Sequence, residues 1–396
     1  MIISDLHIHS RFSRACSKSI NIDNLEKYSR LKGLNLLGTG DFTHPEWIKE
    51  VRSKLEEDSY GILRTKNGFP FIWQTEISLM YKQDGKGRRV HFVVLAPNGD
   101  VVNQITDELG KRGRLDYDGR PIFGFSGIEF IEMLMSISKD IELIPAHAWT
   151  SWFGILGSKS GFNSVEECFK DQTKHIHALE TGLSSDPLLN WRISSLDKYN
   201  LVSFSDAHSL HPWRLGREAT VFDCKLRYKD IIKCIRNGKG LVETLEVNPA
   251  YGKYHWDGHR NCNIVYSPKE SKKHKGICPV CKKPLTIGVE YRIEELADRP
   301  LGYKPKGKPG YKHLLPLSEL IASVYGMGVA TKKVQNESNI LIKEFGSELD
   351  VLLNAPENKL SKLINEKLVK FLLINRKGGL KVEPGYDGVY GKIKLE

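Results

Sequence analysis

Met1-Ile2-Ile3-Ser4-Asp5-Leu6-His7-Ile8-His9-Ser10 opens the chain, and its reading decides the architecture. Residues 1–4 are a short apolar strand, and two histidines follow at i and i+2. In extended backbone that spacing puts both imidazoles on one face. Two imidazoles on one face at a strand end suit a borderline-soft cation such as zinc or manganese. Two solvated histidines would give the same ten residues, so the rest of the sequence has to decide.

Outward from that stretch, the pattern to about residue 244 alternates short apolar strands with amphipathic helices, the rhythm of an α/β fold. A helix is predicted over 23–31, closed by Gly33, then a strand over 34–38. Pro45 opens a helix over 46–55. Strands follow at 69–76 and 90–95, helices at 101–111 and 126–138, and a strand at 141–147. A strand at 175–181, a helix at 188–198, a strand at 201–205 and a helix at 228–236 complete the series.

Metal-type side chains recur at the ends of these strands: Asp41 and His44, Glu76, His91, His147, Glu180, and Asp206 with His208. In a barrel of parallel strands such ends converge on one face. His, Asp and Glu gathered there are the expected ligands of a metal centre. Asp5 reads either as a partner that orients a ligand imidazole or as a strand-end cap. After His147, the aromatic, glycine-rich loop with Trp149, Trp152, Phe153 and Lys159 could take up an unstacked base.

Composition narrows the partner. The 396 residues allow two or three domains, and 40% hydrophobic with 27% charged residues is ordinary for a globular chain. No apolar run approaches a membrane span, and Asp5, His7 and His9 interrupt the place where a secretory signal needs its apolar core. A cytoplasmic protein with no membrane partner is expected. The net charge of +11 (59 Lys+Arg against 48 Asp+Glu) favours a polyanion, nucleic acid first.

Four of the seven cysteines, Cys16, Cys168, Cys224 and Cys234, are scattered and read as small buried apolar residues. The other three form His259-Arg260-Asn261-Cys262 and Cys278-Pro279-Val280-Cys281, two ligand pairs around a basic segment. That spacing predicts a structural zinc site closed by four ligands. His255 and His274 compete with His259 for the fourth place. A segment with so little apolar core depends on its metal to fold.

Beyond lies a connector rich in Pro, Gly and Lys, in which Lys304, Lys306 and Lys308 alternate with Tyr303 and Tyr311, a composition suited to a DNA backbone. Helices are predicted at 317–325, 337–345, 347–354 and 357–375, forming a small domain that grips duplex. The expected domains are a catalytic barrel over 1–245, a zinc-binding module over 246–300, and a basic linker with helical domain over 301–396. No Gln-initiated aromatic motif stands at the extreme C-terminus, so sliding-clamp binding is not expected.

The motifs Asp5-Leu6-His7-Ile8-His9-Ser10, Gly38-Thr39-Gly40-Asp41, Glu76, His147 and Ser205-Asp206-Ala207-His208 resemble the PHP (polymerase and histidinol phosphatase) superfamily. The whole chain is similar to its endonuclease Q branch, through 180–187, Asp257-Gly258-His259-Arg260 and 383–391. The resemblance implies a distorted seven-stranded β/α barrel that hydrolyses phosphate esters with two or three metals. It assigns His7, His9, Glu76 and Asp206 to one metal. Glu76 would bridge to a second held by His91 and His147. Asp41 and His208 would belong to a third, with His44 as a substitute ligand. The sequence departs from the pattern at Gly40-Asp41, where many members have Asp-His, and at Ala15, where some have histidine.

A phosphodiester resists attack because its anion repels nucleophiles and its leaving alkoxide is poor. Clustered cations answer both, lowering the pKa of water to about 7 and offsetting charge on the leaving oxygen. Asp206, Glu76 and His147 are the expected catalytic residues, with zinc, Mg²⁺ or Mn²⁺ in the barrel. The branch implies a DNA repair enzyme that nicks 5′ to deaminated bases (uracil, hypoxanthine, xanthine) and abasic sites, with the lesion base flipped out. Two other readings fit the motifs: a PHP phosphoesterase acting on a small monoester or as a 3′ exonuclease, and a non-catalytic DNA-binding factor.

Overall fold

The computed structural model describes residues 1–394, so the last two residues of the C-terminus, where no clamp motif is expected, lie outside it. The fold is mixed α/β, with a large central sheet and a helical C-terminal region. Ile2–Asp5 sits inside that sheet, parallel to Leu36–Gly38 and antiparallel to Ala219–Phe222. Leu36–Gly38 runs parallel to Pro70–Gln83, which folds back on Lys86–Ala96, and that strand pairs in turn with Glu142–Pro145. Ala178–Glu180 and Asn200–Val202 form a separate parallel pair. Asp41, His147, Glu180 and Asp206 stand at or just past the ends of short strands, whereas Glu76 and His91, expected at or near strand termini, lie within the long hairpin.

Local chemistry explains the elements that match the sequence reading. Ile22–Lys32 starts at the Asn21 cap and ends at Gly33, whose φ is +98°. Pro45 opens Pro45–Lys54. Ser126 and Glu129 form a capping box at the start of Gly127–Ile137.

The departures also have local causes. The strands expected at 69–76 and 90–95 extend into a long hairpin, because Asp84 (φ +51°) and Gly85 (φ +75°) make a two-residue turn with both residues left-handed. Antiparallel pairing there, and between Ile2–Asp5 and Ala219–Phe222, replaces a simple parallel alternation. The helix expected over 188–198 is only Pro187–Asn190, since the following backbone tightens into turns that bond Arg192 N to the Leu189 carbonyl and Ile193 N to the Asn190 carbonyl. Residues 170–175 are 3₁₀ turn, which shortens the next strand to Ala178–Glu180. The helix expected over 357–375 breaks at the extended Ile364, and Asn365 caps the second half by accepting from Leu368 N. Within the expected linker, Gly310–His313 is a strand that pairs in parallel with Leu241–Glu246. Among the described residues no helix is long and apolar enough to cross a membrane.

The C-terminal helices Leu317–Tyr325, Lys332–Phe345, Glu348–Leu353 and Glu366–Arg376 close their own apolar core around Leu320, Leu341 and Leu368. They are joined to the helix Ile22–Lys32 of the α/β region by an ion pair: Lys32 Nζ lies 2.7 Å from Glu348 Oε1 and donates to the Pro212 carbonyl at 2.8 Å. Both side chains are buried. Removing one partner strands a buried charge, whereas replacing both with apolar groups does not. Lys32→Ala is expected to cost about 3–5 kcal/mol, read as a lower urea midpoint. Lys32→Met with Glu348→Leu should recover most of the loss, and equal midpoints for Lys32→Ala and wild type would show that the pair contributes nothing.

Candidate metal centre

His7 and His9 leave the first strand at its buried end, and His9 N donates to the Ala207 carbonyl at 3.1 Å, which draws Asp206 and His208 alongside. Each imidazole is held on one side by a carboxylate. His7 Nδ1 is 2.9 and 3.1 Å from the Glu180 oxygens, and His9 Nδ1 is 3.0 Å from Asp41 Oδ1. Both Nε2 atoms thus point inward, where they and Asp206 Oδ1 are buried close to one another and to Glu76 but without a well-aligned hydrogen bond. A carboxylate behind an imidazole with an unpartnered front nitrogen is how proteins present histidine to a metal.

Glu76, near the middle of Pro70–Gln83, is the hub. Its Oε2 lies 3.2 Å from His9 Nε2, and its Oε1 lies 3.6 Å from His7 Nε2, 2.9 Å from His91 Nδ1 and 3.2 Å from His147 Nε2. Asp206 Oδ1 is 3.0 Å from His9 Nε2 and 3.7 Å from His7 Nε2. Two donor groups result, His7–His9–Glu76–Asp206 and Glu76–His91–His147, each with its donor atoms within 4.8 Å of one another. The donor types and the orphaned nitrogens fit a dinuclear metal centre with Glu76 shared.

Electrostatics agree. Burial works to raise the Glu76 carboxyl, but His91, Arg120 and His7 hold it well below the usual range. Burial pushes His91 down to about 4, leaving it neutral and able to ligate at pH 7. Burial opposes charge on His7 and His9 too, yet the carboxylates around them raise both. Three residues at this rim, Asp41 (φ +39°), His147 (φ +31°) and Asp206 (φ +49°), sit in left-handed backbone that non-glycine residues rarely adopt. Such strain gathers where side chains are aimed for function.

Several expected site residues are placed differently. Asp41 spends its second oxygen on Ser10 N (2.6 Å), Ser10 Oγ (2.7 Å) and Ser13 Oγ (2.8 Å), so it positions His9 and is not in a donor group. His44 stacks on Phe12 at 4.2 Å, at the start of Pro45–Lys54. His208 is near, its ring 4.7 Å from that of His9, but outside both groups. Among the described residues no third group includes Asp41, His44 or His208. Asp5 has no hydrogen bond to an imidazole among the described residues: it accepts from Ser205 N at 3.0 Å, from Ser205 Oγ at 2.5 Å and from Gly216 N at 2.9 Å, and burial raises it to about 6.

Of the aromatic loop, Trp149 is core, its Nε1 donating to Asn190 Oδ1 at 2.8 Å. Trp152 is 50% exposed, and the Phe153 ring lies 4.3 Å from His91. Lys159 is exposed, as are Lys304 and Lys306. Lys308 is taken up by the carbonyls of Asp197 and Tyr199 and does not face solvent freely. Sequence reasoning missed Arg120, whose Nη1 is 2.9 Å from Glu76 Oε2. No spacing rule marks it.

A separate four-donor group unites His259, Cys262, Cys278 and Cys281, with His259 Nδ1 3.4 Å from Cys281 Sγ. The competing histidines are committed elsewhere. His255 pairs with Glu290 at 3.2 Å and His274 stacks on Tyr266 at 4.6 Å. Backbone N–H groups of Cys281 and Val280 hold the Cys278 thiol low against its burial, which favours the thiolate that a metal requires.

The geometry makes Glu180 testable as the group that fixes His7. Glu180→Gln is expected to weaken divalent-metal affinity about 10–100-fold, measured by calorimetric titration of metal-stripped protein with Mn²⁺. Unchanged affinity would show that His7 needs no such support.

A family model, the MJ0043 C-terminal domain, matches residues 316–379. The Methanocaldococcus jannaschii protein MJ0043 is 34% identical over 256 residues, which are 63% of this chain and 32% of that protein. The chain thus spans about a third of the length of that curated relative. The crystal structure of the lesion-specific endonuclease PfuEndoQ from Pyrococcus furiosus superposes with a TM-score of 0.89 at 32% identity, over 99% of this chain and 95% of that one. A crystal structure of endonuclease Q in complex with a 27-mer duplex substrate, with an abasic lesion at the active site, gives 0.88 at 33% identity, over 100% and 96%. Identity at this level over nearly the full length of both chains means that this protein belongs to the endonuclease Q family of DNA endonucleases.

Proposed function

We propose that this protein is a DNA repair endonuclease that hydrolyses the phosphodiester bond 5′ to deaminated bases (uracil, hypoxanthine, xanthine) and abasic sites. The observation that carries this reading is the pair of donor groups sharing the buried Glu76. The abasic duplex at the active site of its structural neighbour supports the substrate class. His7, His9, Glu76 and Asp206 would hold one divalent cation, and Glu76, His91 and His147 a second. Cations bound there supply an acidified attacking water and neutralise charge on the phosphate.

The chain's own residues do the remaining work. Glu180 and Asp41 hold His7 and His9 in register, and Glu76, Asp206 and His147 fix the centre. Trp152 and Phe153, beside His91, would stack on an extruded base. Lys159, Lys304 and Lys306 would meet backbone phosphates. Residues 1–245 form the catalytic domain in this reading, 246–300 a zinc-binding module and 301–396 the linker and duplex-gripping helices.

A 5′-labelled duplex with one deoxyuracil or deoxyinosine, incubated with Mg²⁺, Mn²⁺ or Zn²⁺, tests the reading. The expected result is one product ending immediately 5′ of the lesion, none from undamaged DNA, and a rate for Asp206→Ala lower by more than about 100-fold. A ladder shortening from the 3′ end would sink it in favour of an exonuclease. The four-donor group is expected to carry structural zinc. Cys278→Ser should lower zinc content by one ion per chain and lower the melting temperature, with the barrel metals retained; unchanged zinc content would remove the assignment.

A further inference from the structure

Arg120 reaches the centre from a segment with no metal ligand of its own, and the segment is moulded to bring it there. Asp118 Oδ1 accepts from Arg120 N at 3.1 Å and from Arg14 N at 3.3 Å. Gly119 N donates to the Phe12 carbonyl at 3.1 Å, and the Pro121 carbonyl accepts from Ser78 N at 3.1 Å. A Cβ at Gly119 would collide with Asp41 Oδ2 and Ser13 Oγ, so only glycine lets this turn lie against the group that positions His9. The turn is thus pinned to the loop after His9 on one side and to the Glu76 strand on the other.

A plain counter-charge for Glu76 would need one contact, and Arg120 makes one: Nη1 to Oε2 at 2.9 Å. Its Nε and Nη2 have no protein partner among the described residues, and neither is a buried orphan. The side chain keeps 22% of its surface open. Two donors of a planar fork therefore face solvent at the rim of the donor groups. A guanidinium beside bound cations is repelled unless an anion lies between them, and its fork geometry matches phosphate oxygens.

We propose that Arg120 is a catalytic residue: its unpartnered guanidinium N–H groups bind non-bridging oxygens of the scissile phosphate and stabilise the charge that builds there during hydrolysis. This rests on the phosphodiesterase reading above. Charge aimed in advance at a developing oxyanion acts in the transition state more than in the ground state. Lysine offers a single point charge in place of the fork.

The test compares wild type, Arg120→Gln and Arg120→Lys as full-length, metal-loaded protein. Three quantities are read: ions per chain, affinity for inorganic phosphate by calorimetry, and kcat and KM on the lesion duplex. For Arg120→Gln the expected result is unchanged metal content, phosphate binding at least about 10-fold weaker, and kcat lower by about 10²–10³-fold with a smaller change in KM. Arg120→Lys should recover part of the phosphate affinity and little of kcat, and it serves as the folded variant should the glutamine form be unstable. Loss of metal with phosphate affinity per loaded site unchanged, or kcat within threefold of wild type, would overturn the proposal and leave Arg120 as a counter-charge. Failure of the wild type to cut lesion DNA would instead sink the nuclease reading, and the phosphate arm separates the two.

Discussion

Buried negative charge is the constraint on which the barrel rim depends. Asp41, Glu76 and Glu180 are fully buried, with Asp206 beside them. A carboxylate taken out of water is far too costly to leave unpaired. Positive charge must come from protons on His7 and His9, from the Arg120 guanidinium, or from cations. The raised His7 and His9 and the depressed Glu76 are one fact seen from two sides. A divalent ion does the same task with more charge in less space, so the site is organised to exchange protons for metal.

That demand explains the backbone around it. Asp41, His147 and Asp206 follow short strands in left-handed conformations, and each is fixed by neighbours. Gly40 N donates to Gln74 Oε1 at 3.1 Å just before Asp41. His147 N donates to Glu180 Oε2 at 2.6 Å, the same carboxylate that holds His7. Asp5 clamps Ser205 immediately before Asp206. Second-rank polar residues thus over-determine the strained ones, which is how local strain of a few kcal/mol persists.

Much of this was legible in the sequence, and what was not has a physical reason. The i, i+2 histidines, the strand-end carboxylates and the helix caps report local geometry, which periodicity and capping chemistry encode directly. Asp41 was read as a ligand because residue type tells what an atom can bind, and only tertiary structure tells what it faces. Trp149 and Trp152, three apart in one loop, divide into core and surface for the same reason. Asp84-Gly85 carried a readable hairpin signal, whereas Arg120 carried none.

The four-donor group looks remote from the barrel, yet a chain of contacts joins them. Its hairpin, Asp257–His259 with Ile264–Tyr266, offers Asp257 Oδ1 to Gly288 N at 2.6 Å, at the start of the helix Val289–Leu296. From that helix Arg292 donates to the Leu156 carbonyl at 3.2 Å, to the Phe162 carbonyl at 3.1 Å and to Asn163 Oδ1 at 2.8 Å. Arg88 holds the same loop from the barrel side through the Gly161 carbonyl. The loop carrying Trp152 and Phe153 is therefore gripped from two sides, by Arg88 of the central sheet and by the helix Val289–Leu296, whose first turn is tied to Asp257. A loop gripped this way holds the half-buried Phe153 ring 4.3 Å from that of His91, one of the groups around Glu76. The cysteine cluster is thereby joined to the rim by a continuous line of packed backbone and fixed side chains.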